Sequence, residues 1–244
     1  VGGFLPECIV QKDPHFAQAP AHLGQLDAPG CLEFGIAENR RDDDGAVIGR
    51  HRVDRADDVV DLAVDDVARS LVDYISRVGA DAFHEATVGR GEEQQQNRFV
   101  RRDRIHWIDE RNAELACWQD WTESLRLEVN RRLFLGLFSF ESHLAHYRSG
   151  DFYRTHVDAF RGEANRIVSL VCYLNENWSE DDGGELVLYT DLGPVVIAPA
   201  YGTVAMFLSE EIPHEVKPAR RDRFSITGWF RLNTSSPDRV DPPR

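Results

Sequence analysis

Two stretches of the chain repeat apolar residues every three or four positions, which is the spacing of an amphipathic helix. The first begins near Asp57 and ends at Gly79, with apolar residues at Val60, Val64, Val67, Leu71, Ile75 and Val78. The second carries Trp118, Trp121, Leu125 and Val129 on one side. Aromatic residues at this spacing indicate packing against a core rather than a cofactor site. We therefore predict two helices that support a sheet.

From Leu135 onward the pattern changes to short apolar runs separated by glycine and proline, which is typical of strands and turns. The runs are HLAHYR, RIVSLVCYL, GELVLYT, PVVIAPA, GTVAMFL, HEVKPA and RFSITGWFRL. The Gly183-Gly184 pair predicts a tight turn or a bulge between two of these strands. Regularly spaced short strands predict a mainly β fold, a jelly roll or barrel, with the helices as supports.

The first 56 residues show no sustained period, mix glycine, proline and aspartate, and end in an acidic stretch. This composition is typical of a flexible or poorly structured segment. We predict one folded domain at 57–234, preceded by the flexible segment at 1–56 and followed by a flexible tail at 235–244. Inside the domain, the polar stretch from Val88 to Arg98 predicts a long loop.

Charge and composition argue against several classes of protein. The 28 basic and 42 acidic side chains give a formal charge of −14, which argues against a nucleic-acid partner because phosphate binding needs a basic face. No apolar run approaches the roughly 18 residues that span a bilayer, and the N-terminus does not resemble a signal peptide. The four cysteines, Cys8, Cys31, Cys117 and Cys172, have no metal-ligand spacing and predict no disulfide framework. We expect a monomer in the cytoplasm, with no membrane partner.

The most specific chemical signal is the group His156, Asp158 and His214, in the sequences THVDAF and IPHEVKPA. Two imidazoles and one carboxylate can occupy one face of an Fe(II) ion and leave three positions open, as in non-haem oxygenases. Residues two apart on a strand point to the same side, so His156 and Asp158 can chelate one ion while Val157 faces the core. His214 would then come from another strand of the fold.

Arg223 adds a second signal, because it follows His214 by nine residues, which is enough for one strand to end and another to begin. A guanidinium suits a carboxylate that it can bind through two hydrogen bonds. A dicarboxylate such as 2-oxoglutarate could chelate iron at its keto-acid end and pair its far carboxylate with Arg223. An isolated His-x-Asp pair arises easily by chance, but its conjunction with a distant histidine and this arginine predicts an iron site.

The run from Ala145 to Leu232, together with RRDRIHWID at Arg101 to Asp109, resembles the catalytic core of hypoxia-type prolyl hydroxylases and their bacterial relatives. The resemblance implies a double-stranded β-helix, the cupin-like jelly-roll barrel. It also implies Fe(II), 2-oxoglutarate and O2 as cofactor and cosubstrates, with ascorbate as a reductant. The stretch from Val88 to Arg98 corresponds to a loop that closes over the protein substrate in that family.

The resemblance also implies roles for individual residues. His156, Asp158 and His214 correspond to the iron ligands, and Arg223 and Tyr173 correspond to the pair that holds the distal carboxylate of 2-oxoglutarate. These five residues form the core of the predicted site.

Four further positions follow from the same resemblance. Tyr147 corresponds to an active-site tyrosine before the His-x-Asp strand, although the loop between them is one residue shorter here. Thr227 corresponds to a position in the cosubstrate pocket. Trp229 and Arg166 correspond to positions on the substrate side, with Arg166 at the entrance.

Three functions remain open from the sequence. The first is a hydroxylase of a prolyl residue in a proline-containing loop of a protein, for which the bacterial relatives point to a translation elongation factor. The second is an oxygenase of a free amino acid or another small metabolite. The third is a non-catalytic metal-binding barrel. Such a barrel needs neither open coordination positions on iron nor an arginine that binds a far carboxylate, and the sequence predicts both. The sequence therefore favours an enzyme.

Overall fold

The computed structural model describes residues 64–86, 99–108, 113–159 and 165–233, together with three short strands nearer the N-terminus. Its two α-helices are α1 (Val64–Val78) and α2 (Ala116–Leu133). The thirteen described strands are β1 (Glu7–Val10), β2 (Phe34–Ala37), β3 (His51–Arg52), β4 (His84–Glu85), β5 (Arg104–Ile108), β6 (Ser139–Tyr147), β7 (Tyr153–His156), β8 (Arg166–Tyr173), β9 (Leu186–Thr190), β10 (Gly193–Ile197), β11 (Val204–Leu208), β12 (His214–Val216) and β13 (Arg223–Arg231).

Two antiparallel sheets form the body of the domain. The main sheet has six strands in the order β11-β8-β13-β6-β5-β4, and the second has four in the order β10-β9-β12-β7. The sheets face each other where Phe207 of β11 contacts His214 of β12, with ring centroids 4.7 Å apart. The predicted mainly β architecture with supporting helices is confirmed, and it agrees with a jelly roll.

Strand β13 illustrates how the sequence divides the two faces of the main sheet. On one face lie Arg223, Ser225, Thr227 and Trp229, whereas Phe230 faces the helices and packs on Phe140, with ring centroids 4.5 Å apart. Phe140 in turn contacts Trp118 of α2. The alternation of β13 therefore separates a polar face that lines the interior of the barrel from an apolar face that the helices cover.

Helix α2 appears where the apolar spacing predicts it. Trp118, Trp121, Leu125 and Val129 are all buried, so the interpretation of the aromatic residues as core packing is confirmed. Helix α1 is described from Val64, and the predicted start near Asp57 lies outside the described residues.

Much of the predicted flexible sequence falls outside what the structure describes. Within 1–56 only β1, β2 and β3 are described; they form one small antiparallel sheet, and β1 lies next to β11. The tail at 235–244 and the predicted loop from Val88 to Arg98 lie outside the described residues. Among the described helices, none is long and apolar enough to cross a membrane. The side chains of Cys117 and Cys172 are free thiols.

Candidate active site between the two sheets

His156, Asp158 and His214 come together between the sheets. One ligand atom from each of the three residues lies within 4.8 Å of the others. The Nε2 atoms of His156 and His214 are 3.5 Å and 3.6 Å from Oδ1 of Asp158. Three donors at these separations, all nitrogen or carboxylate oxygen, could hold one divalent ion with part of its coordination sphere open.

The two imidazoles are oriented by their own backbone. Nδ1 of His156 lies 2.8 Å from the carbonyl oxygen of Arg154, and Nδ1 of His214 lies 3.0 Å from that of Ile212. A carbonyl only accepts, so each Nδ1–H must donate, and each Nε2 is the ring nitrogen that faces Asp158. This arrangement fixes the tautomer that a metal-binding histidine needs.

One detail of the predicted chelate is wrong. The sequence predicts one strand that carries both His156 and Asp158, but β7 ends at His156 and Asp158 lies in the bend that follows. The backbone N–H groups of Asp158 and Ala159 both donate to the carbonyl of Ser209. These bonds hold the bend against the turn after β11. The bend, rather than the alternation of a strand, therefore brings the carboxylate of Asp158 close to the imidazole of His156.

Asp158 is held by a hydroxyl pair. Oγ of Ser169 donates to Oδ2 of Asp158 at 2.6 Å and lies 2.9 Å from Oγ of Ser209. Burial alone would raise the pKa of Asp158, but the adjacent His214 and His156 hold it well below its usual range. The carboxylate is therefore ionised, with one oxygen fixed by Ser169 and the other facing the two histidines.

A second, deeper part of the site surrounds Arg223. Its side chain is 2% exposed, and Nε donates to the carbonyl of Gly184 at 2.9 Å. The guanidinium carbon lies 4.8 Å from the ring centroid of Tyr147 and 5.0 Å from that of Tyr173. Gly184 has a φ of 73°, and a Cβ there would lie only 2.8 Å from Cβ of Ala219 and 3.3 Å from Cδ of Arg223. The predicted turn at Gly183-Gly184 thus places the backbone directly against the arginine.

The pocket around Arg223 fits a ligand carboxylate. Among the described residues no acidic side chain pairs with Arg223, and a buried charge without a partner is costly. The hydroxyl of Tyr173 is buried and also lacks a hydrogen-bond partner there. Burial raises the pKa of Tyr173 to about 12, so this hydroxyl stays protonated and can donate. A buried guanidinium and a buried donor together match the far carboxylate of a dicarboxylic acid.

Comparisons with known proteins agree with this geometry. The family model described as the 2OG-Fe(II) oxygenase superfamily matches residues 142–231. A solved prolyl-4-hydroxylase from Pseudomonas putida is 40% identical; the match covers 69% of this chain and 87% of that one, with a TM-score of 0.62. The chain belongs to the 2OG-Fe(II) oxygenase superfamily. Membership implies Fe(II), 2-oxoglutarate and O2, as predicted from the sequence.

Two further relatives of this oxygenase confirm its resemblance to prolyl hydroxylases. A Trichoplax adhaerens prolyl hydroxylase, solved in complex with a peptide fragment of the hypoxia inducible factor oxygen degradation domain, is 26% identical. That match covers 69% of this chain and 78% of that one, with a TM-score of 0.58. The hypoxia-inducible factor prolyl hydroxylase of Caenorhabditis elegans is 40% identical over 86 residues. Those residues are 34% of this chain but only 12% of the nematode protein.

The remaining predicted residues of the oxygenase form a wall on the same face of the main sheet. The guanidinium of Arg166 lies 3.6 Å from the ring centroid of Trp229 and pairs with Glu141 at 2.7 Å. Thr227 lies two residues from Trp229 on β13, opposite His143 of β6. The structure therefore places Arg166, Trp229 and Thr227 together on the side of β13 that carries Arg223.

Sequence reasoning missed a chain of contacts behind His156. The ring of Tyr153 stacks on that of His156 with centroids 3.5 Å apart, and the guanidinium of Arg101 lies 4.3 Å from the Tyr153 centroid. Arg101 is held by both carboxylate oxygens of the buried Asp103. The Arg-x-Asp spacing in RRDRIHWID is a signal that could have found the ion pair. The stack on Tyr153 depends on tertiary structure.

Ser169 was also missed, and it carries a testable prediction. Replacing Ser169 with alanine removes the hydroxyl that orients Asp158, so we expect the affinity for Fe(II) to fall by about 10- to 100-fold. Anaerobic titration with Fe(II) or Mn(II) measures this directly. Ser149→Ala is the control, because the Ser149 hydroxyl is exposed and donates to the carbonyl of Arg220 outside the site. Equal affinities in both variants would contradict a role for Ser169 in the metal site.

Proposed function

We propose that this oxygenase hydroxylates a prolyl residue in a protein substrate, using Fe(II), 2-oxoglutarate and O2. The observation that carries the proposal is the 40% identity to the Pseudomonas putida prolyl-4-hydroxylase, because that match covers 87% of the relative's chain. The relatives from Trichoplax adhaerens and Caenorhabditis elegans also bear the name prolyl hydroxylase.

The proposal assigns the metal to His156, Asp158 and His214. Each imidazole presents Nε2, and Asp158 presents Oδ1, while backbone carbonyls and Ser169 hold the opposite sides of these groups. Bound Fe(II) would supply the chemistry that couples oxidative decarboxylation of 2-oxoglutarate to hydroxylation of a C–H bond. The protein fixes the geometry of the ligands and keeps the carboxylate ionised.

The proposal assigns the far carboxylate of 2-oxoglutarate to Arg223 and Tyr173. A buried charged guanidinium and a buried neutral hydroxyl donor would bind it by charge-assisted hydrogen bonds. Tyr147 contacts the same guanidinium, and we assign it the packing of the cosubstrate. Thr227 lies farther along β13 from Arg223, on the side where the cosubstrate would extend.

The substrate side is the wall formed by Arg166 and Trp229, with Trp107 beside it. Trp107 is 37% exposed, and its ring centroid lies 6.2 Å from that of Trp229. Flat aromatic rings at a partly open edge suit the apolar ring of proline and leave room for flanking peptide. This arrangement favours a residue within a peptide over a free amino acid, whose two charged groups would need partners at the wall. The elongation factor that the bacterial relatives suggest remains a prediction.

The function is tested with Fe(II)-loaded protein and three substrates offered in parallel. They are proline-containing loop peptides, the same peptides with alanine in place of proline, and free proline. We expect succinate release and a mass gain of one oxygen, about 16 Da, with the proline peptides alone. Turnover with free proline and none of the peptides would contradict the proposal and favour the small-metabolite oxygenase. Binding of 2-oxoglutarate without any oxidised product would favour the non-catalytic barrel.

A further inference from the structure

Several buried polar atoms of the main sheet have no hydrogen-bond partner among the described residues, and three of these atoms lie around the candidate site. They are the hydroxyl of Tyr173, Nδ1 of His143 and Nε1 of Trp229. A buried donor or acceptor without a partner destabilises the protein, and native proteins leave few of them. The proposed cosubstrate accounts for Tyr173. The other two atoms lie on the substrate side of the site and have no assigned partner.

His143 lies in the middle of this face. It is directly opposite Thr227 of β13 and Trp107 of β5. Its ring centroid lies 4.9 Å from that of Trp107 and 5.3 Å from that of Trp229. Only 5% of the side chain is exposed. The imidazole is therefore part of the wall to which we assign the substrate.

The surroundings of His143 keep its imidazole neutral. Burial lowers the pKa of His143 well below its usual range, and the positive charges of Arg101 and Arg166 lower it further, against the opposing effect of Asp158. A neutral imidazole has one N–H donor and one acceptor nitrogen. The indole of Trp229 can only donate. The wall can thus offer two hydrogen-bond donors, one from His143 and one from Trp229, on rings whose centroids are 5.3 Å apart.

The chemistry of a prolyl residue matches these donors. A proline within a peptide has no backbone N–H, so the peptide bond that precedes its ring has an acceptor but no donor. The carbonyls of the proline and of the residue before it are the two acceptors next to the ring. We propose that His143 donates a hydrogen bond to a backbone carbonyl next to the hydroxylated proline, beside the donor supplied by Trp229. This inference rests on the proposed function. It adds a substrate-binding residue that favours a peptide backbone with a carbonyl acceptor next to the ring and no N–H on the ring nitrogen.

A purely structural role for His143 fits the contacts less well. Between two tryptophan rings, an apolar side chain of similar size would pack without burying an unpaired nitrogen. His146 on the same strand provides the contrast. It faces the opposite side, stacks on Phe224 with centroids 4.3 Å apart, and its Nε2 is hydrogen-bonded to Asp222. The histidine outside the site has a partner, whereas the one inside the site does not.

The test compares His143→Leu, which removes the donor, with His143→Asn, whose amide nitrogen can replace Nδ1. We expect His143→Leu to raise the peptide KM by about 10- to 100-fold, the size of effect that follows when a bound polar group loses its partner. His143→Asn should recover much of this loss. The KM of His143→Leu for 2-oxoglutarate should stay near the wild-type value while its peptide KM rises. The midpoint of thermal unfolding of His143→Leu should equal or exceed that of the wild type. His146→Leu is the matched control, with an unchanged peptide KM.

A change in the substrate provides a second arm that requires no altered protein. In one peptide an alkene replaces the amide before proline and in a second it replaces the amide after proline, so each lacks one of the two neighbouring carbonyls. A companion peptide carries the alkene one position farther away. We expect one of the first two analogues to bind the wild type more weakly than the companion, with a smaller difference in His143→Leu. Equal peptide KM values for wild type and His143→Leu, or equal losses in the leucine and asparagine variants, would overturn the role of His143. Absence of turnover of every proline peptide by the wild type would instead contradict the proposed function.

Discussion

Replacing His214 with alanine is expected to abolish iron-dependent turnover while the domain stays folded. His214 supplies one of three candidate ligand atoms, and its Nε2 lies 3.6 Å from Oδ1 of Asp158. With two ligands left, we expect a loss larger than the roughly 10- to 100-fold that follows removal of an outer hydrogen bond. Succinate release under saturating 2-oxoglutarate measures turnover, and anaerobic titration measures Fe(II) binding.

The His214 experiment needs a control for folding, because this side chain is buried. His156→Ala tests the same site at a less buried position, and we expect the same loss. His84 lies exposed on β4 and is the matched control, so His84→Ala should retain the wild-type rate. Thermal unfolding should show cooperative transitions in all three variants. Full activity in folded His214→Ala would remove this residue from the metal site.

The sequence predicted those parts of the fold that depend on local pattern. Apolar spacing at Trp118, Trp121, Leu125 and Val129 located α2, because a helix repeats its buried side with a fixed period. Short runs between glycine and proline located the strands. The sequence could not predict that β13 pairs with β6 and β8, since strand neighbours far apart in the chain leave no local signal. The requirement for glycine at position 228 could not be predicted for the same reason, because it comes from the ring of Phe140 on β6, which a Cβ would meet.

The candidate site divides in the same way. Residue type and spacing were enough to select His156, Asp158, His214 and Arg223, because metal and carboxylate binding restrict the side chains that can serve. Ser169 could not be selected, since its contact with Asp158 forms only when β8 meets the bend after β7. His143 is a similar case. A histidine in a strand has no distinguishing sequence pattern, and its unpaired nitrogen becomes visible only once its neighbours are in place.

Several expectations from the sequence remain predictions. One of them is that the stretch from Val88 to Arg98, which lies outside the described residues, closes over a protein substrate and shields the reaction from water. The described strand β5 follows that segment and places Trp107 at the open edge. A monomeric state, a cytoplasmic location and the use of ascorbate belong with the elongation factor among the predictions that remain to be tested.

Replacing Arg223 with alanine is expected to raise the 2-oxoglutarate requirement by roughly two to four orders of magnitude. The variant would leave a buried ligand carboxylate without its charge partner, which typically costs about 3 to 5 kcal/mol. Tyr173→Phe removes one donor to the same carboxylate, which is worth about 1.5 to 3 kcal/mol, so a smaller rise of about 10- to 100-fold is expected. The measurement is the dependence of succinate release on 2-oxoglutarate concentration at saturating Fe(II).

The order of these two defects is as informative as their size. Arg221 is the matched control, because it is also an arginine but is half exposed and contacts the ring of Trp178 and backbone carbonyls outside the pocket. Arg221→Ala should leave the 2-oxoglutarate requirement unchanged. If Arg223→Ala behaves like Arg221→Ala, another residue anchors the acid. If Tyr173→Phe has the larger defect, the hydroxyl rather than the guanidinium is the principal anchor. The predicted order follows from charge and burial, since Arg223 is a buried full charge next to Tyr173, whose hydroxyl is neutral.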